Sequence, residues 1–364
     1  MRRLQLDFPK QKFPDKPEGK TIDALIVSSL PNVEYLTGFD GSNGLLLIES
    51  SGEMTLFTDP RYTLYAGRVF KTGKVVTVKN RSSLAVAALN RAMKRKHRRL
   101  GFEPLHLVYA EHQAMAEKLT LGVELIPAGG TIEQQRMVKD ATELERIRRA
   151  VDTNSAAFDA AIRKVRVGIS ELDLAAEIDY QQRKKGASGP AFDTIVAFGE
   201  RTALPHAHPG AAKLANNEII LIDAGARQGN YTSDMTRMLS FGNSGKQLKT
   251  IYKAVEEAQL AAIAAIREGV SARSVDNTAR VALRAHGLDK SFVHSTGHGL
   301  GLEIHESPSL NRKDKTRLAA GMVITIEPGA YVEGVGGIRI EDTVLVTKTG
   351  CEVLTPTRKE LIQL

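Results

Sequence analysis

Residues 161–186, AIRKVRVGISELDLAAEIDYQQRKKG, lie without a gap on residues 262–287, AIAAIREGVSARSVDNTARVALRAHG. Ile162 meets Ile263, Gly168-Ile169-Ser170 meets Gly269-Val270-Ser271, and Gly186 meets Gly287. Each segment reads as a helix, a glycine stop, a serine cap and a second helix. Amphipathic helices resemble one another cheaply, so the helices alone do not establish a duplication. The strands that follow add to the case. NEIILIDAG ends an apolar run in Asp223 before Ala-Gly, and GMVITIEPG ends one in Glu327 before Pro-Gly. A chain that repeats two helices and a strand, with a carboxylate at the same place in each copy, is expected to form a pseudo-twofold domain.

The segment before the repeat has a different texture. Short apolar runs such as DALIVSS, GLLLIES and KVVTV alternate with helical stretches such as SLAVAALNRAMKRKH, which predicts a mixed α/β domain over residues 22–136. Asp140 followed by Glu143 is a capping signal, and Leu144, Ile147, Val151, Phe158, Ile162 and Val165 recur at helical spacing until Gly168. The repeated domain is therefore expected over residues 137–364. Residues 1–21 are basic but have neither the apolar core nor the small-residue cleavage site of a signal peptide, and read as a disordered or draped tail.

The acidic residues of the repeat carry the chemistry. In IILIDAGARQGNYTSDMTRMLSF two strand-like runs flank a turn, and a turn centred on Gln228-Gly229 would set Asp223 opposite Asp234. Like charges directly opposite are destabilising, so a buried pair needs a cation, a shared proton or water. The second copy has Glu327 on one strand and Glu341 on the next, in GGIRIEDTVLV, where strand alternation puts Arg339 on the face of Glu341. Four carboxylates converging by symmetry cannot all be charged without metal. In STGHGLGLEIHE, His298 offers a nitrogen ligand, while Gly297, Gly299 and Gly301 permit close backbone approach or positive φ. One histidine with four carboxylates is an oxygen-rich set that suits Mn²⁺ better than zinc, with Co²⁺ or Zn²⁺ as the alternatives. Two such ions, roughly 3.5–4 Å apart and bridged by carboxylates and a water, form the usual hydrolytic pair.

Five stretches, IVAFGERTALPHAHPG, LIDAGARQGNYTSDMTR, HSTGHGLGLEIHE, TIEPGAY and GGIRIEDTVLV, resemble those of the pita-bread metallopeptidases of family M24. With the preceding domain, the chain from about residue 22 resembles the proline-specific branch, Xaa-Pro aminopeptidase and Xaa-Pro dipeptidase (prolidase). The resemblance implies a creatinase/prolidase-like mixed-sheet domain followed by a pita-bread domain. It implies Asp223 on one ion, His298 and Glu327 on the other, and Asp234 and Glu341 bridging both. It further implies that His206, His294 and His305 hold the scissile bond and the proline end of a peptide, with Arg339 supporting Glu341. The expected reaction is hydrolysis of the bond between an N-terminal residue and a following proline by a metal-bridging hydroxide, with Glu327 shuttling a proton to the leaving nitrogen. GERTALPH departs from the pattern, since many relatives carry a Gly-Asn-Ser-type stretch there.

Composition narrows the alternatives. The 364 residues are 42% hydrophobic and 25% charged, and no apolar run reaches the ~18 residues of a membrane span. The reading of residues 1–21 as a tail rather than a signal peptide makes the cytoplasm the default, and a single cysteine, Cys351, excludes an internal disulfide and a thiolate cluster and fits a reducing compartment. The net charge of +8 raises nucleic acid as a partner, but the densest basic run, RAMKRKHRRLG, reads as the solvated last turns of a helix, with no tryptophan in the chain to stack on bases. Neither nucleic acid nor membrane is expected as a partner. The resemblance implies a homodimer. Competing readings are a methionine aminopeptidase, weakened by the additional N-terminal domain, a metal-free creatinase-type hydrolase, and a non-catalytic peptide-binding protein on the same fold, weakened by the intact ligand set.

Overall fold

The computed structural model describes residues 22–79 and 83–364; the tail over residues 1–21 lies outside them. The chain divides into two compact units between Gln135 and Arg136. In the first, six strands form a sheet in the spatial order Lys74–Thr77, Met54–Thr58, Gly44–Glu49, Ala24–Val27, Arg99–Phe102, Glu124–Pro127. The middle pairings are antiparallel and the outer ones parallel. Leu25, Val27, Leu46 and Ile48 pack into one core and Ala24, Ile26, Leu45 and Leu47 into another, on opposite faces. Burial on both faces explains why these strands read as continuous apolar runs without alternation.

The basic run is not helical to Gly101. The helix Leu84–Lys94 stops early, Lys96 takes φ 65°, and the strand Arg99–Phe102 begins. Part of the run is also paired: Arg91 and Arg95 reach Glu53, Arg95 and His97 reach Glu49, and Arg99 reaches Asp23. Among the described residues no helix is long and apolar enough to cross a membrane.

The second unit is built twice. Its opening helix, Ala141–Ala161, starts with the full capping box: Asp140 accepts the Thr142 and Glu143 N–H groups and Glu143 accepts that of Asp140. It ends earlier than the apolar spacing suggests, tightening into a 3₁₀ turn over Ile162–Lys164 before Gly168 turns the chain at φ 83°. Ser170 caps Glu171–Lys184 and Ser271 caps Ala272–Ala285 through the same bond to the third residue on, and the preceding Gly168 and Gly269 share φ values of 83° and 84°. Both glycine N–H groups donate at 2.8 Å to a leucine carbonyl, Leu214 in one half and Leu318 in the other.

Each helix pair covers a sheet. Phe158, Leu174 and Ile178 pack on Ile220 and Ile222 of Glu218–Ala224, and Ala262, Val275 and Ala279 pack on Ile324 and Ile326 of Val323–Ile326. Fully burying each such aliphatic side chain contributes on the order of 1.5–3 kcal/mol, so the strands that end in Asp223 and Glu327 are rigidly seated.

The hairpin register differs from the expectation. Gln228 pairs with Tyr231, so the turn centres on Gly229-Asn230, with φ 55° and 71°, and Asp223 faces Thr236 rather than Asp234. A two-residue hairpin of this kind needs positive φ at both central positions, which glycine and asparagine accept and Gln228 does not. Asp234 stays on the face of Asp223, one diagonal step away, which relaxes the repulsion without removing it.

Candidate metal centre

Strand-end geometry brings the acids together. Asp223 ends one strand and Asp234 precedes its partner, Met235–Phe241; in the other half the register Ile326↔Asp342, extended by one step, faces Glu327 with Glu341. His298 lies in the short strand Gly297–Gly299, paired beside Val323–Ile326. Asp234, His298 and Glu341 are all buried and each offers a ligand atom within 4.8 Å of the others. His298 Nε2 is 3.5 Å from Asp234 Oδ2 and 3.4 Å from Glu327 Oε1.

Hydrogen bonding shows what this cluster lacks. His298 donates its Nδ1–H to the Gly299 carbonyl at 3.0 Å, so the Nε2 lone pair faces the carboxylate oxygens. Asp223 Oδ1, Asp234 Oδ1 and Glu341 Oε1 are buried without a hydrogen-bond partner among the described residues. Acceptors aimed at acceptors in a dry site are repulsive unless a cation lies between them. The same crowding acts on protonation. Burial, and then the neighbouring carboxylates, raise Asp234 and Glu341 well above their ordinary values and push Glu327 up to about 8. Burial, and then His305, lower His298 to about 4, so it is neutral and ready as a ligand at pH 7. The residues fit a bound divalent cation.

The glycines around His298 have a packing reason. None of Gly297, Gly299 and Gly301 has positive φ. A Cβ on Gly297 would lie 1.9 Å from the Thr325 carbonyl oxygen, one on Gly299 2.4 Å from that of Ser307, and one on Gly301 2.8 Å from the Glu306 carboxylate. Close approach of neighbouring backbone accounts for Gly297 and Gly299, and the packed Glu306 carboxylate for Gly301.

Arg339 is fully buried and bonds Asp223 Oδ2 at 2.6 Å. It reaches Glu341 only through Thr236, whose hydroxyl accepts from Arg339 Nε at 3.0 Å and donates to Glu341 at 2.8 Å. Tyr331 completes the network: Arg339 donates to its hydroxyl at 2.7 Å, and that hydroxyl donates to His294 Nε2 at 2.8 Å. His294 gives its Nδ1–H to the Ser295 carbonyl at 2.8 Å, so both its nitrogens are engaged within the protein. His206 and His305 are exposed and have free ring nitrogens among the described residues; His305 packs edge-on against His298 with ring centroids 4.4 Å apart. In the departing stretch GERTALPH, Arg201 bonds the buried Glu171 and the His208 carbonyl, closing the loop that carries His206.

Sequence reasoning did not single out Thr236 or Tyr331. Thr236 stands two residues after Asp234 and so shares its strand face. Tyr331 carried one signal, the preceding Gly329, where an added Cβ would meet the Tyr331 hydroxyl at 2.7 Å.

Comparison with known proteins matches residues 145–348 to metallopeptidase family M24 and residues 10–138 to the creatinase/prolidase N-terminal domain. The chain is 35% identical to the Xaa-Pro dipeptidase of Pyrococcus furiosus over 351 residues, 96% of this chain and 97% of that one. Among solved structures it is similar to an Xaa-Pro dipeptidase from Bacillus anthracis, at TM-score 0.90 and 35% identity, covering 94% of this chain and 95% of that one. It is also similar to an X-Pro aminopeptidase from Thermotoga maritima, at TM-score 0.87 and 34% identity, covering 94% and 98%.

Proposed function

Because the chain belongs to metallopeptidase family M24, with a creatinase/prolidase N-terminal domain ahead of the peptidase part, we propose that it is a dinuclear-metal exopeptidase that releases an N-terminal residue preceding proline. The observation that carries this reading is the buried cluster of Asp234, His298 and Glu341, whose ligand atoms lie within 4.8 Å of one another, with oxygens of Asp223, Asp234 and Glu341 left buried and without a partner among the described residues. Asp223, Asp234, His298, Glu327 and Glu341 would hold two divalent ions, Mn²⁺ by the oxygen-rich donor set. When bound, such ions polarise a carbonyl and make a water nucleophilic at neutral pH.

The protein's own groups then do the following. Glu327 takes the proton of the attacking water and returns it to the proline nitrogen as the C–N bond breaks. His305 and His206, with free ring nitrogens, donate hydrogen bonds to the developing oxyanion and to the peptide. His294 acts through Tyr331, fixing the hydroxyl that Arg339 also holds. Arg339 neutralises Asp223 and keeps its Oδ1 aimed inward. A cytoplasmic homodimer completes the reading, supported by the lone cysteine and the family resemblance.

The test is an Mn²⁺-supplemented assay comparing an Xaa-Pro dipeptide, an Xaa-Pro tripeptide and a Met-Ala peptide. Cleavage of the Xaa-Pro substrates is expected, and their ratio separates dipeptidase from aminopeptidase. Preferential cleavage of Met-Ala would transfer the assignment to methionine aminopeptidase.

A further inference from the structure

Next to His305 is an acid that the proposed reaction does not use. The Glu306 side chain is only 6% exposed, yet it is held by Arg136, itself 4% exposed, at 2.5 Å and by Lys139, 1% exposed, at 3.1 Å. The Glu303 N–H donates to it at 3.2 Å, and Arg136 also pairs with Glu303 at 2.7 Å. Two cations and two carboxylates therefore meet here, with the Arg136, Lys139 and Glu306 side chains buried and that of Glu303 41% exposed. Burial alone would raise Glu306, but Lys139 and Arg136 hold it below the ordinary range, so the cluster is ionised.

A buried ion cluster is weak support for a purely stabilising role, because the cost of desolvating the charges offsets most of their attraction. Its geometry indicates a different use. The loop from Gly301 to Glu306 is fixed from two sides. Thr232, two residues before the ligand Asp234, donates through its N–H and hydroxyl to the Gly301 carbonyl at 2.8 and 3.0 Å, and its hydroxyl also reaches that of Glu303 at 3.3 Å. Glu306 ties the other end to Arg136 and Lys139. Gly301 leaves the space for this, since a Cβ there would lie 2.8 Å from both Glu306 carboxylate oxygens. The side chain that this loop presents is His305, exposed on one edge and packed on the ring of the ligand His298 on the other.

We infer that Glu306, locked by Arg136 and Lys139, is a positioning residue that sets the place of the His305 imidazole beside the ligand His298. The inference rests on the peptidase reading above and deepens it. Glu306 touches no reacting atom and acts only through His305. Glu306→Gln should therefore lower kcat/KM on an Xaa-Pro peptide by about tenfold or more with Mn²⁺ content unchanged, and the loss should not add to that of His305→Ala.

The experiment measures kcat, KM and metal content for wild type, Glu306→Gln, His305→Ala and the double variant. The double variant is expected to be no slower than His305→Ala alone. Losses that multiply, an unchanged Glu306→Gln, or loss of metal from it would overturn the inference. Should Glu306→Gln fail to fold, Glu306→Asp keeps the charge but draws the backbone inward, and Gly301→Ala pushes the carboxylate out; the same non-additivity with His305→Ala is expected of both, and its absence from both refutes the assignment. The ¹⁵N-histidine NMR signal of His305, identified by its loss in His305→Ala, should shift in Glu306→Gln, and a signal identical to wild type would also overturn the inference. That readout needs no turnover. A wild type inactive on Xaa-Pro peptides but with a shifted His305 signal in Glu306→Gln would refute the peptidase reading and keep the positioning.

Discussion

Tyr331 shows how one hydroxyl can tie a site together. It accepts from Arg339 and donates to His294, linking that imidazole through Arg339 to the buried Asp223. Tyr331→Phe leaves a histidine acceptor and a guanidinium N–H without their partner, which costs about 1–3 kcal/mol of stability. Because His294 and Arg339 then lose their fixed positions, kcat should fall on the order of tenfold to a hundredfold while metal content is retained; kinetics with elemental analysis check this. His206→Ala and His305→Ala should each lower kcat/KM by on the order of a hundredfold with the ions still bound. Loss of metal from either would mean that the imidazole is a ligand and that the roles assigned above are wrong. The metal-site candidates were legible in the sequence because acids at the ends of apolar strands are conspicuous. Tyr331 and Thr236 were not, since an aromatic or a threonine in a strand is ordinary and only the fold reveals its partners.

At the scale of elements, the register decides which acids meet. The strands, the caps at Ser170 and Ser271 and the strand-end acids could all be read locally, from propensity and turn chemistry. The hairpin register could not, because GARQGN offers two turn centres and only the φ demands of Gly229-Asn230 choose between them. The cluster of Arg136, Lys139 and Glu306 was also hidden, since its members are 167 and 170 residues apart. The close strand contact at Gly297 gives a sharp test. A Cβ there would overlap the Thr325 carbonyl, which is backbone and cannot swing aside. Gly297→Ala should therefore separate these strands, displace His298 and abolish Mn²⁺ binding, as read by isothermal titration. Retained affinity would show that the strand relaxes without moving its ligand. By contrast, replacing Arg91, Arg95 and Arg99 alters only pairs within the first unit, with Glu53, the buried Glu49 and Asp23. Peptidase activity should be unchanged, and salt-sensitive nucleic-acid binding that these changes remove would contradict the view that the basic run pairs with its own domain.

For the whole molecule, the cost of the site is set by what happens without a cation. Glu327 then titrates near 8, up from an ordinary 4.5, and Asp234 and Glu341 are raised well above theirs. An acid raised on folding contributes stability that is fully present below its unfolded value and is lost as pH climbs through its folded value. His298 and His294, both lowered to about 4 from an ordinary 6.5, work in the opposite direction, but only below 6.5. Above pH 6.5 the opposing imidazole contribution, that of the also lowered His305 included, fades while the carboxyl contribution continues to be lost, so the melting temperature of the metal-free protein should fall between pH 6.5 and 8. Mn²⁺ should reverse the trend, because the ligands it binds must be deprotonated and its affinity rises with pH. Asp234→Asn and Glu341→Gln each remove one of the repelling charges. Both should fold, melt at or above the metal-free wild type at pH 8, show a shallower pH slope, bind Mn²⁺ more weakly and lose nearly all turnover. The decisive comparison is thermal melting of wild type and both variants at pH 6.5 and 8, with chelator and with Mn²⁺, beside turnover of an Xaa-Pro peptide. A metal-free wild type whose stability is flat or rising over that window would show that the five side chains proposed as ligands do not share one dry, mutually repelling site. Full activity in stringently metal-free protein would remove the cation from the reaction altogether.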